Sequence, residues 1–147
     1  MKILFSALFC FAAFSEALAS EVKVVPCSSL RLSLNRIENM QSYSNSQVKA
    51  FEIDLLEPAA APVGVAIIVE TGDDISNMRS DCRFIPGLFS VDFKTSTASQ
   101  NSVTGFLVLE FNVTQSDAEG EIVPKILQIL VNPQATLETE IVQARFL

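Results

Sequence analysis

The run 71–82 reads TGDDISNMRSDC and sets Asp73, Asp74 and Asp81 between Gly72 and Cys82. Crowded carboxylates beside a turn suggest a hard cation such as calcium. An EF-hand-type loop needs oxygens at alternating positions, a central glycine and a closing glutamate. Here Gly72 precedes the aspartates, no such alternation follows, and Arg79 adds a positive charge. A site would need other carboxylates brought alongside in space, such as Asp117, Glu119 and Glu121. The run reads as a solvated turn whose aspartates accept bonds from nearby backbone N–H groups. No metal ligand and no cofactor is expected.

Catalytic sets are scarce for a more general reason. The chain has no histidine, no tryptophan and one tyrosine, Tyr43. Histidine is the usual general base and a common metal ligand. Its absence rules out Ser-His-Asp and Cys-His arrangements. SQVK (46–49) has the Ser-x-x-Lys spacing of penicillin-recognising enzymes, and KTS (94–96) and SDA (116–118) weakly match their other two boxes. The order is reversed, and Lys49 leads into a predicted strand where a helix is required, so the spacing is coincidental. Glu52 with Asp54, and Glu138 with Glu140, lie two apart and share a strand face. Glycosidase carboxylates instead face each other across a cleft, one of them in apolar surroundings. These pairs read as solvating charge. Exposed aromatic platforms for stacking sugars are also lacking. The expectation is a protein that is not an enzyme.

Two other features concern processing. NVT (112–114) makes Asn112 a glycosylation acceptor in a eukaryotic secretory pathway. The chain opens MKILFSALFCFAAFSEALAS, with one lysine, an apolar run and ALA at 17–19. That is the pattern of a cleaved signal peptide, predicted as residues 1–19. Its short basic region leans toward a bacterial source, in which case the Asn112 motif is accidental. The apolar run is shorter than the roughly 20 residues of a spanning helix, and nothing later resembles a second span. The expected location is secreted or periplasmic. Cys10 lies in the leader, so Cys27 and Cys82 remain. An even count behind an export signal predicts a disulfide between them.

Positioning falls to strands. SLRLSLNRI (29–37), AFEIDLL (50–56), LFSVDFK (88–94) and FLVLEFNVT (106–114) alternate apolar and polar residues, the mark of strands with one wet face. VGVAIIVE (63–70) is apolar on both faces and reads as a central strand. ATLETEIVQARFL (135–147) closes the chain with another. Segment 122–131 fits either a strand or a helical stripe, and Pro124 favours a strand over 125–131. Stretches 38–47, 57–62, 71–81 and 95–102 are polar connections. The predicted fold is all-β: a single antiparallel β-sandwich domain over 20–147, of about seven strands and immunoglobulin-like.

The net charge is −7, and no basic stripe is present to neutralise phosphates, so nucleic acid is not an expected partner. Anionic membranes are disfavoured by the same charge. An eight-stranded outer-membrane barrel suits the length, but Tyr and Trp girdles are missing. The expected function is an exported, non-enzymatic module acting by protein–protein contact with an unknown protein partner, as an adhesion or assembly module or an inhibitor. The alternative is a carrier holding an apolar ligand, such as a lipid, inside the sandwich.

Overall fold

Alternation in sequence becomes alternation in burial. In β7 (Leu107–Ser116), Leu107, Leu109, Phe111 and Val113 are buried while Asn112 is exposed. In β9 (Val142–Phe146), Val142, Ala144 and Phe146 point inward, and Gln143 and Arg145 outward. The computed structural model describes residues 22–30, 36–44, 47–56, 61–71, 78–135 and 140–147. The predicted leader 1–19, Ser46, Asp73, Asp74 and Glu138 lie outside those residues.

The remaining strands are β1 (Val25–Pro26), β2 (Ile37–Tyr43), β3 (Val48–Asp54), β4 (Val63–Thr71), β5 (Arg79–Leu88), β6 (Ser90–Gln100) and β8 (Ile122–Val131). They form two antiparallel sheets, one of five strands in the order β1-β5-β4-β3-β2 and one of four in the order β6-β7-β8-β9. Every neighbouring pair except β1–β5 is consecutive in the chain. Each sheet is thus built by successive hairpins. Only β1 is added from a distance, and it lies at the opposite edge from β2. Between β5 and β6 stands Phe89, whose N–H bonds the Thr114 carbonyl at 2.9 Å. The chain passes there from one sheet to the other. Among the described residues there is no α-helix; a 3₁₀ turn spans Cys27–Ser29.

One apolar cluster draws on both sheets. Val65, Ile67, Val69 and Ile85 of the first meet Leu109, Phe111, Leu127 and Ile129 of the second, all fully buried. Each such side chain contributes roughly 1.5–3 kcal/mol through removal from water. Phe93 and Phe111 add a tilted ring pair at 5.0 Å. A smaller cluster of Ile53, Ala66 and Phe84 lies on the other face of the five-stranded sheet, with Val25, Cys27, Leu30, Phe51 and Leu55 packed against it. This is why β4 is apolar on both faces. Gly64 has a specific cause: a Cβ there would overlap the Phe84 ring and crowd the Ile85 carbonyl. The β4–β5 register shifts at the same place, between Val63 and Val65.

Several boundaries differ from the sequence expectation. Among the described residues there are nine strands, where about seven were expected. The predicted strand 30–37 falls mostly on 31–35, outside the described residues. The predicted connection 38–47 is strand as far as Tyr43. Most of β2 is exposed, so burial leaves no alternation to detect there. The predicted connection 95–102 is likewise strand to Gln100. Its β-branched Thr97 pairs with Glu110 of β7 while remaining exposed. The register shift between Asp92 and Thr97 is held by Asp92, whose carboxylate accepts from the Lys94 N–H at 2.9 Å and the Thr95 hydroxyl at 2.8 Å. Those bonds, the Thr95 hydroxyl foremost, hold the Asp92 carboxyl below its ordinary value. Segment 122–131 is strand throughout. Asp117 and Gly120, the latter at φ 86°, turn the chain ahead of it. Pro124 is tolerated because β9 pairs only with Leu127–Val131, leaving β8 one neighbour at that point.

Candidate functional site

Among the described residues the acidic side chains do not gather. Asp81 lies on β5 and pairs with Arg83 at 2.9 Å along the same strand. Asp117 turns inward on its own hairpin, accepting from the N–H of Glu119 at 3.0 Å and of Glu121 at 2.8 Å. Glu119 and Glu121 are exposed. No group of three or more His, Cys, Asp or Glu side chains suited to a metal occurs among the described residues.

The carboxylate pairs and the lysine have local uses. Glu52 accepts the Asn39 amide across the β2–β3 ladder. Asp54 accepts the Leu56 N–H at 2.7 Å, shaping the chain after β3. Glu140 accepts from Gln143 at 3.2 Å. Lys49 is paired with Glu70 at 2.7 Å, across the β3–β4 ladder. None of these groups is aimed at another across a cleft.

Cys27 and Cys82 are joined, with an S–S distance of 2.03 Å and 5.4 Å between Cα atoms. The bond ties the turn after β1 to β5. Val22, upstream, donates its N–H to Ala144 of β9 at 3.2 Å. The N-terminal segment therefore touches both sheets within five residues, Val22 to Pro26. A cavity of about 710 Å³ opens where this segment meets β9, lined by Val22, Val24 and Leu130 with Lys23, Glu140 and Arg145.

The outer faces of the two sheets differ in character. Across the four-stranded sheet runs a polar ladder: Arg145 donates to Gln128 at 2.7 Å, and Gln128 donates to Glu110 at 2.8 Å. Asn112 belongs to the same face and donates to Thr95 at 2.9 Å. The five-stranded sheet carries an apolar row instead. Register pairs Val25 with Phe84, Phe84 with Ala66, Ala66 with Phe51, and Phe51 with Met40. The row crosses the whole sheet. Phe84 and Ala66 are buried, Phe51 is half-buried, and Met40, at the β2 edge, is 62% exposed. Ile37 and Leu56 stand exposed in the same region.

Sequence reasoning placed Met40 in a polar connection and so missed the end of this row. The available signal was β4 itself, whose second apolar face implied apolar neighbours on both sides. No helix among the described residues is long and apolar enough to cross a membrane. No family model, no curated protein and no solved structure matches the chain.

Proposed function

We propose that this protein is an exported, non-enzymatic β-sandwich that works by protein–protein contact, using the outer face of its five-stranded sheet. The observation that carries the reading is the apolar row that ends bare at Met40. Exposed apolar side chains that continue a buried row are a contact surface when a partner covers them. The opposite outer face carries the Arg145–Gln128–Glu110 ladder, in which polar side chains partner one another, beside the exposed Ile122 and Ile126 of β8. Export through a cleaved leader to the periplasm or the exterior accords with the Cys27–Cys82 bond, since such bonds persist in oxidising compartments. The kinship with immunoglobulin-type domains is that of two antiparallel layers around one apolar centre. Those domains use Greek-key links, whereas here every neighbouring pair except β1–β5 is a hairpin.

A photo-reactive phenylalanine analogue at position 40, in the exported protein in its own host, should capture a protein partner. The same group at Asn112 should capture none. Equal capture from both positions, or none from position 40, would refute the reading. Extraction of the purified protein with organic solvent addresses the carrier alternative, which requires a stoichiometric apolar ligand in the extract.

A further inference from the structure

Among the described residues the two sheets have four outer edges, β1, β2, β6 and β9. An edge strand offers unpaired N–H and C=O groups to any passing strand, and proteins usually blunt it. Three of the four are blunted here. β1 has two residues, one of them Pro26, and is followed by the bonded Cys27. β6 is interrupted by the register shift between Asp92 and Thr97. Val22 lies against β9 and bonds Ala144.

β2 is different. After a single irregularity between Ile37 and Asn39, residues Asn39–Tyr43 pair regularly with Val48–Glu52. The strand, IENMQSY, contains neither lysine nor proline. Among the described residues its backbone pairs with β3 alone.

We propose that this edge receives a second copy of the chain, β2 against β2, antiparallel about a two-fold axis at Met40. The proposal rests on the contact reading above and names the partner. Such pairing sets Met40 opposite its own counterpart, Asn39 opposite Gln41 of the second copy, and Glu38 opposite Ser42 of the second copy. Apolar meets apolar, amide meets amide, and the carboxylate meets a hydroxyl. No like charges are opposed, although each chain carries a net charge of −7. The outer faces of the two copies then continue one another. The row from Val25 to Met40 runs on through the axis into its mirror sequence, and the two five-stranded sheets become one. One strand per copy is a small contact beside the roughly 1,600 Å² of a standard interface. The association is therefore weak and dependent on concentration.

Sedimentation velocity tests this, from low micromolar to several hundred micromolar protein. The expected result is a shift from monomer to dimer across that range. Met40→Lys places like charges at the axis and should raise the dissociation constant at least about tenfold. Ser42→Lys adds the same charge to the same strand but sets it opposite Glu38 of the second copy, so it should weaken association far less than Met40→Lys. Val103→Lys, on the distant β6–β7 turn and 91% exposed, should change nothing. Unchanged non-reducing thiol counts and circular dichroism establish that the variants fold. Monomer at every concentration, or a dimer that survives Met40→Lys, would overturn the proposal. If the protein stays monomeric yet position 40 captures a foreign protein, the second copy is refuted and the contact reading stands.

Discussion

Tyr43 lies where β2 approaches β6, and its hydroxyl is 3.0 Å from that of Ser96. Ser96 is also 2.8 Å from the Gln41 side-chain oxygen and 2.9 Å from the Phe93 carbonyl. A serine has one proton to give, so it serves one of those acceptors at a time while Tyr43 donates to it. Burial pushes the Tyr43 hydroxyl above its ordinary value, and the bond to Ser96 offsets part of that shift. Burial disfavours the phenolate, so the folded state holds the neutral form. The stability this gives is complete below the unfolded value of about 10 and is lost as pH rises through the higher folded value. Because the chain has one tyrosine, ultraviolet titration reads this group alone. The native protein should titrate above the denatured one, and Tyr43→Phe should flatten the alkaline fall in melting temperature. Coincident native and denatured titrations would contradict the assignment. At this scale the sequence was partly legible. Inward-facing phenylalanines such as Phe93 and Phe111 followed from alternation. The Tyr43–Ser96–Gln41 contact did not, because it joins residues more than 50 positions apart on strands that are not paired with each other.

Among the elements, β1 shows how little backbone pairing a strand needs when a covalent bond holds it. Two register pairs, Val25 with Phe84 and Pro26 with Arg83, join it to β5, and Pro26 has no N–H to give. The Cys27–Cys82 bond closes a separation of 55 residues. In the chain-entropy account that is worth about 4 kcal/mol, a large share of the 5–15 kcal/mol typical of a domain. Replacing both cysteines by serine should lower stability by about 2–4 kcal/mol, measured by urea unfolding. Reductant should match that loss in the parent and do nothing to the double variant. Equal stability of all three forms would show that the bond does not hold the fold. The disulfide was legible from the cysteine count and the predicted leader. The extent of β2 was not: at an edge strand wet on most of its length, the hydrophobic pattern that marks a buried face is absent. Segment 122–131 was ambiguous for the opposite reason. Ile122, Ile126, Leu127 and Leu130 fit a helical stripe, yet in the strand Leu127 faces inward while Ile122 and Ile126 are exposed, and the Asp117–Gly120 turn and pairing with β7 decide the matter.

For the whole molecule, the two antiparallel sheets and their shared core were readable from period-two alternation. Strand order was not, because alternation says which face is wet and not which neighbour is paired. The absence of histidine bears on mechanism at every point of the chain, and the acidic run at 71–82 supplies no replacement in the described residues. The account comes to rest on one asymmetry: a continuous apolar row, bare at Met40, crosses the five-stranded sheet, whereas the outer face of the four-stranded sheet mixes the Arg145–Gln128–Glu110 ladder with the exposed Ile122 and Ile126. Hydrogen exchange reads that asymmetry directly, comparing dilute purified material with protein in its native compartment. The account predicts that amides of Asn39–Tyr43 exchange quickly when dilute and gain protection in the compartment, while those of β6 do not change. Protection gained at β6 and not at β2, or no change at either edge, would contradict it.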